Sequence, residues 1–90
     1  MKLAQVTGTV TATAKDAQLV GAKMLICDLT DAHGKISEKA CVAIDTVGAG
    51  VGDQVLVALG SAARIALKAA VAPVDAAVIA VVDRVIVKTK

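Results

Sequence analysis

None of the 90 residues is Phe, Tyr or Trp, yet 57% are hydrophobic. The core must therefore be built from 19 Ala, 15 Val, seven Leu and six Ile. Aromatic rings bury the largest areas per residue, so a core of small aliphatics gains little from each side chain. A chain this short also has much surface for its volume, and such chains usually add disulfides, a metal or partner copies. Oligomerisation is the expected remedy here, because the residues supply neither of the other two.

The cysteines are two, Cys27 and Cys41, and His33 is the only histidine. No Cys-x-x-Cys pair or other zinc spacing occurs, and without a secretion signal a disulfide is not expected. Both thiols are read as reduced and half-buried on strands. No metal site, cofactor or catalytic residue is expected.

Charge narrows the partners. Ten basic against eight acidic side chains leave +2, too little to make the basic face that nucleic acid requires. Without rings, a binder that stacks single-stranded bases on aromatic side chains is also nearly excluded. The apolar runs all break before the ~18 residues of a membrane span. The start, Met1 to Gly8, shows no long apolar core and no cleavage pattern. The expectation is one domain over 1–90, soluble and cytoplasmic, with no nucleic-acid or membrane partner.

Along the chain, residues 3–13 alternate, with Ala4, Val6, Val10 and Ala12 apolar and Gln5, Thr7, Thr9, Thr11 and Thr13 polar. That is the period of a strand with one buried face. Gly8 falls on the apolar side, where it marks a bend or a close approach. Residues 23–30 predict a second strand. Asp31 and Gly34 predict a hairpin turn, with His33 solvated. Residues 40–46 and 54–59 predict two more strands.

Between them lies Val47-Gly48-Ala49-Gly50-Val51-Gly52-Asp53. A dinucleotide fingerprint would open a helix, whereas a strand follows here, so the glycines are read as backbone geometry. Residues 60–70 predict a short helix, with Ser61 as N-cap. Its apolar stripe is Ala62, Ile65, Ala66 and Ala69, and Pro73 ends it. Ser61 has no base nearby, and no G-x-S-x-G elbow is present. Residues 76–88 predict a long last strand, apolar on both faces over its first half. One face would line the core and the other a neighbouring subunit. Five strands and one short helix suggest a small, mainly β, closed barrel.

The chain resembles the EutN/CcmL family of microcompartment vertex proteins. The resemblance rests on Lys2-Leu3-Ala4-Gln5-Val6-Thr7-Gly8-Thr9-Val10, on Lys23-Met24-Leu25-Ile26, and on Asp45 to Asp53 followed by Val55-Leu56-Val57. It rests also on Gly60-Ser61-Ala62-Ala63-Arg64 and on Pro73 to Val78 with Val81-Val82-Asp83. It spans nearly the whole chain, and segment 31–43 fits least distinctly.

The resemblance implies a five-stranded OB-like β-barrel with one short α-helix, assembling as a cyclic pentamer. It implies a structural, non-catalytic role: capping the vertices of a polyhedral shell whose facets are hexameric or pseudohexameric proteins. It places Gly48, Ala49, Gly50, Val51 and Gly52 near the fivefold axis, where their amides could also attract small anions. Residues expected at the subunit interface are Ser61, Arg64, Ile65, Val78, Ile79, Val81 and Asp83. The alternative is an OB-like module binding a small ligand or oligonucleotide.

Overall fold

Alternation in the first segment carries through into three dimensions. In the computed structural model, which describes residues 1–13, 15–68 and 73–88, strand β1 spans Lys2–Val10 with Ala4 and Val6 buried between exposed or half-buried neighbours. Thr11 to Thr13, expected in this strand, lie beyond its end. Gly8 sits at a register shift between Val6 and Gly8 against the next strand. A Cβ there would meet Ile26 Cδ1 at 3.4 Å, so the glycine marks both a bulge and a close approach.

Strand β2 is Met24–Thr30, with Leu25, Cys27 and Leu29 turned inward. A turn follows in which Asp31 Oδ1 accepts from the backbone amides of His33 at 2.8 Å and Lys35 at 3.0 Å. These bonds lower the Asp31 pKa from its usual value. Gly34 has φ +87° there, and His33 is exposed, as expected.

Strand β3 is Ile36–Asp45 and so begins earlier than the expected residue 40. The early part was illegible because residues 36–40 are all exposed and present no alternation. They are held by pairing with β2 and by a bulge at Ala40 (φ +58°), whose N–H donates to Asp28 Oδ1 at 3.0 Å.

Strands β4 (Gln54–Leu59) and β5 (Ala76–Val81) complete the sheet. The ladder runs β1-β2-β3-β5-β4 and closes on β1. All pairings are antiparallel except β3 with β5, which is parallel and holds only Ile44 to Ala77 and Asp45 to Val78. This is the small closed barrel that the strand pattern suggested, in the OB-like form that the resemblance implied.

The last strand needs correction. It stops at Val81 instead of running to 88. Val82 donates one more bond, to the Gln54 carbonyl at 2.7 Å, and residues 84–88 form neither strand, helix nor turn.

Two layers of apolar side chains form. The barrel interior holds Ala4, Val6, Leu25, Cys27, Val55, Val57 and Val78. Ile44, Ala63, Val74 and Ala77 form a second cluster, joined by Leu67 and Ile79. Helix α1 (Ser61–Ala66) seals this second layer through Ala63.

The helix departs from the reading in three ways. Its N-cap is Gly60 (φ 61°, ψ −138°), not Ser61, and no side chain caps it. It ends at Ala66, and Lys68 turns left-handed at φ +55°. Its buried face is Ala63 with half-buried Leu67, not Ala62, Ile65 and Ala66, which are exposed. In an alanine-rich segment several stripes are apolar, and contact with the sheet decides which one is buried. Ala69 and Ala70, also expected in the helix, lie outside the described residues.

Candidate functional site

The glycine loop between β3 and β4 is organised by two carboxylates. Asp45 Oδ1 accepts from three successive amides, Val47 at 3.1 Å, Gly48 at 3.1 Å and Ala49 at 3.2 Å. Asp53 Oδ2 accepts from Gly50 at 2.9 Å. Gly52 donates to the Val6 carbonyl at 3.0 Å, which ties the loop to β1. Lys23 Nζ donates to the Ala49 carbonyl at 2.9 Å and lies 3.6 Å from Asp45 Oδ2. Asp45 is an Asx-turn residue at the end of a strand, and Asp-Thr-Val-Gly carries that signal. Both residues open segments that carry the family resemblance, but the sequence assigns neither a structural role of its own.

This arrangement corrects two expectations for the loop. The amides of Val47, Gly48, Ala49 and Gly50 are spent on the protein's own carboxylates, so they do not form a vacant anion cradle. Ala49 is not at the surface either: it is fully buried and plugs the barrel interior. Gly48, Val51 and Gly52 are exposed and Gly50 half-buried, and Val51 leaves 65% of its surface open. Gly48 and Gly52 have φ of +82° and +96°, values that favour glycine. Gly50 does not, and a Cβ there meets nothing within 4 Å of its own chain.

The residues expected at an interface separate into two groups. Val78 is 0% exposed and belongs to the barrel interior, so it has no surface to offer a neighbour. Ile79 packs into the second cluster. The outer face of β5 is thus covered partly by this chain's own helix. Arg64 donates to the Val74 carbonyl at 3.2 Å within the same chain, bracing the helix against the approach to β5. Ser61 and Asp83 are exposed, as are Ile65 at 77% and Val81 at 43%. These four remain surface residues.

The two thiols are directly opposed across β2 and β3, in register as Cys27 and Cys41. Both are free. Burial first, then Cys41, Asp28 and Asp45, pushes the Cys27 thiol up to about 11. Burial, then Glu38 and Asp75, raises Cys41 as well. Such thiols stay protonated at neutral pH and are poor nucleophiles. Among the described residues no group of three or more His, Cys, Asp or Glu could hold a metal, and no helix is long and apolar enough to cross a membrane.

Relatives put this barrel in context. A family profile described as ethanolamine utilisation protein EutN/carboxysome matches residues 1–83. The bacterial microcompartment shell vertex protein EutN of Salmonella typhimurium is 43% identical, over 96% of this chain and 87% of its own length. The carboxysome shell vertex protein CcmL of a Nostoc species is 45% identical, over 100% of this chain and 90% of its own. A solved structure of an ethanolamine utilization protein EutN superposes with TM-score 0.90 at 42% identity, covering 97% of this chain and 91% of that one. GrpN of Rhodospirillum rubrum, described as a pentameric microcompartment shell protein, superposes with TM-score 0.87 at 37% identity, over 99% and 100%. On whole-length identity and a shared closed barrel, the chain belongs to the EutN/CcmL family.

Proposed function

We propose that five copies of this chain close into a ring that occupies the vertices of a microcompartment shell, in the cytoplasm, and meets hexameric or pseudohexameric facet proteins along its rim. The role is structural and non-catalytic. The observation that carries it is whole-length likeness to proteins named shell vertex proteins, together with superposition on one described as pentameric. The full span 1–90 acts as one unit.

A fivefold ring is a heterologous assembly and needs two different complementary patches on each copy. Exposed apolar side chains supply material for them: Ile65 on the helix, Val81 at the end of β5, and Val47 and Val51 on the loop. The Gly48–Gly52 loop lines the fivefold axis in this reading. Its exposed positions carry little side chain, so five loops can crowd together. The proposal calls for no cofactor, nucleic acid or membrane.

The test is shell closure. Facet proteins of a microcompartment shell are expressed with and without this chain, and the particles are imaged by electron microscopy. Closed polyhedra are expected only when the chain is present. Equally closed shells in its absence would overturn the vertex role.

A further inference from the structure

Among the described residues, a sheet edge and a chain segment are both left without a strand partner. Strand β3 pairs with β2 along its length but with β5 only at Ile44 and Asp45. Among the described residues, its opposite edge from Ile36 to Ala43 therefore has no neighbouring strand. Beside that edge lies a cleft of about 200 Å³ whose apolar lining includes Leu19, Met24, Val42, Ile44 and Val74. Val42 itself is exposed. At the other end of the barrel the last main-chain hydrogen bond among the described residues is the one Val82 donates to Gln54. Arg84-Val85-Ile86-Val87-Lys88 then continue without secondary structure, with Ile86 69% exposed. Val, Ile and Val in succession favour a strand, and an open edge is commonly satisfied by an added strand.

We propose that residues 84–88 of one copy add as a strand to the β3 edge, residues 36–42, of the adjacent copy, seating apolar side chains in the cleft beside Val42. The inference rests on the ring proposed above. The segment cannot reach its own edge without reversing. β5 runs parallel to β3 with Ala77 beside Ile44, so the chain leaves β5 past the end of β3 and away from residues 36–42. The molecule measures 49 Å along its long axis against 23 and 21 Å across, which suits an element that projects beyond the barrel. One copy thus offers a strand and the next an edge, two different patches of the kind a cyclic assembly requires. The edge also carries the usual guards against indiscriminate pairing: Glu38, Lys39 and the Ala40 bulge.

The test uses the full chain with a photo-crosslinking residue at Ile86, assembled from equal amounts of light and heavy nitrogen-labelled copies. Crosslinks from 86 to peptide 36–43, with half of them joining light to heavy copies, are the expected result. Crosslinks confined to one copy, or made to other segments, would overturn the proposal. In parallel, a chain ending at Asp83 is compared with the full chain by sedimentation. It should keep its β circular dichroism and require about 100-fold higher concentration to assemble, as loss of several hydrogen bonds implies. Assembly at unchanged concentration would also overturn it. If the full chain itself fails to form a ring, the underlying assembly reading fails; a ring whose crosslinks lie elsewhere defeats only the strand addition.

Discussion

Lys23 places its Nζ 3.6 Å from Asp45 Oδ2 at the rim of the barrel, joining the start of β2 to the end of β3. The Asp45 carboxylate is almost wholly buried, 3% exposed, while the lysine remains half in water. The exposed ammonium is screened, so the ion pair itself contributes little. The larger contribution is the fan of three amides on Asp45 Oδ1, which fixes the course of Val47, Gly48 and Ala49. Asp45→Ala strands those donors and should destabilise the fold by about 3 kcal/mol. Asp45→Asn retains an acceptor and should cost roughly half as much. Urea unfolding at one fixed protein concentration measures both, since assembly makes stability concentration-dependent.

The glycines of the loop should divide by role. Gly48→Ala forces a β-carbon onto a residue with φ +82° and should destabilise the barrel by about 1 kcal/mol. Gly50 has no positive φ, and a Cβ there has no neighbour within 4 Å. Gly50→Ala should therefore leave the folded barrel as stable as before. If five loops meet at the axis, it should weaken the ring. Thermal unfolding read beside sedimentation separates the two effects.

A matching division applies to the interface residues. Val78 is enclosed by its own barrel, so Val78→Ala opens a cavity and should cost about 2 kcal/mol of fold stability. Ile65 touches little in its own chain, at 77% exposed. Ile65→Ala should leave chemical unfolding of the dissociated chain unchanged within about 0.5 kcal/mol, while raising the concentration needed for assembly.

The cysteines predict an alkaline instability. A thiol that titrates near 9.0 when unfolded and at about 11 when folded holds its proton longer in the native state. Its contribution is fully present below pH 9.0 and is lost as pH rises through about 11. Cys41 shifts in the same direction. Stability should therefore fall across that window by about 2 kcal/mol or more, and Cys27→Ala should flatten the fall. Thiol labelling with a neutral alkylating reagent should be slow at pH 7 in the native state.

Much of this structure is legible in the chain, for identifiable reasons. Ala4 and Val6 alternate with polar residues, Asp31 and Gly34 sit where a turn requires them, and residues 54–59 form a short apolar run. Each is a local signal that the barrel preserves. The start of β3 is not legible, because Ile36 to Ala40 are exposed and gain strand geometry only from β2 across the hairpin. The helix face is equally hidden: among several alanine stripes, packing against β5 selects Ala63. The end of β5 is set by the loss of β4 as a partner after Gln54, not by any change in apolar character, since Val85 to Val87 still read as strand. For the loop, glycine spacing revealed its permissive backbone. Asp45 carries a local Asx-turn signal in Asp-Thr-Val-Gly, but that signal does not reveal that Asp45 takes three amides and Asp53 a fourth.

Fivefold closure is tested most directly by native mass spectrometry of the purified chain. Five copies of a 9.0 kDa chain predict a dominant species of about 45 kDa, persisting on dilution into the low micromolar range, as a stable cyclic ring requires. A chain that remains at 9.0 kDa at all concentrations, or forms only even-numbered twofold assemblies, would contradict the fivefold vertex reading.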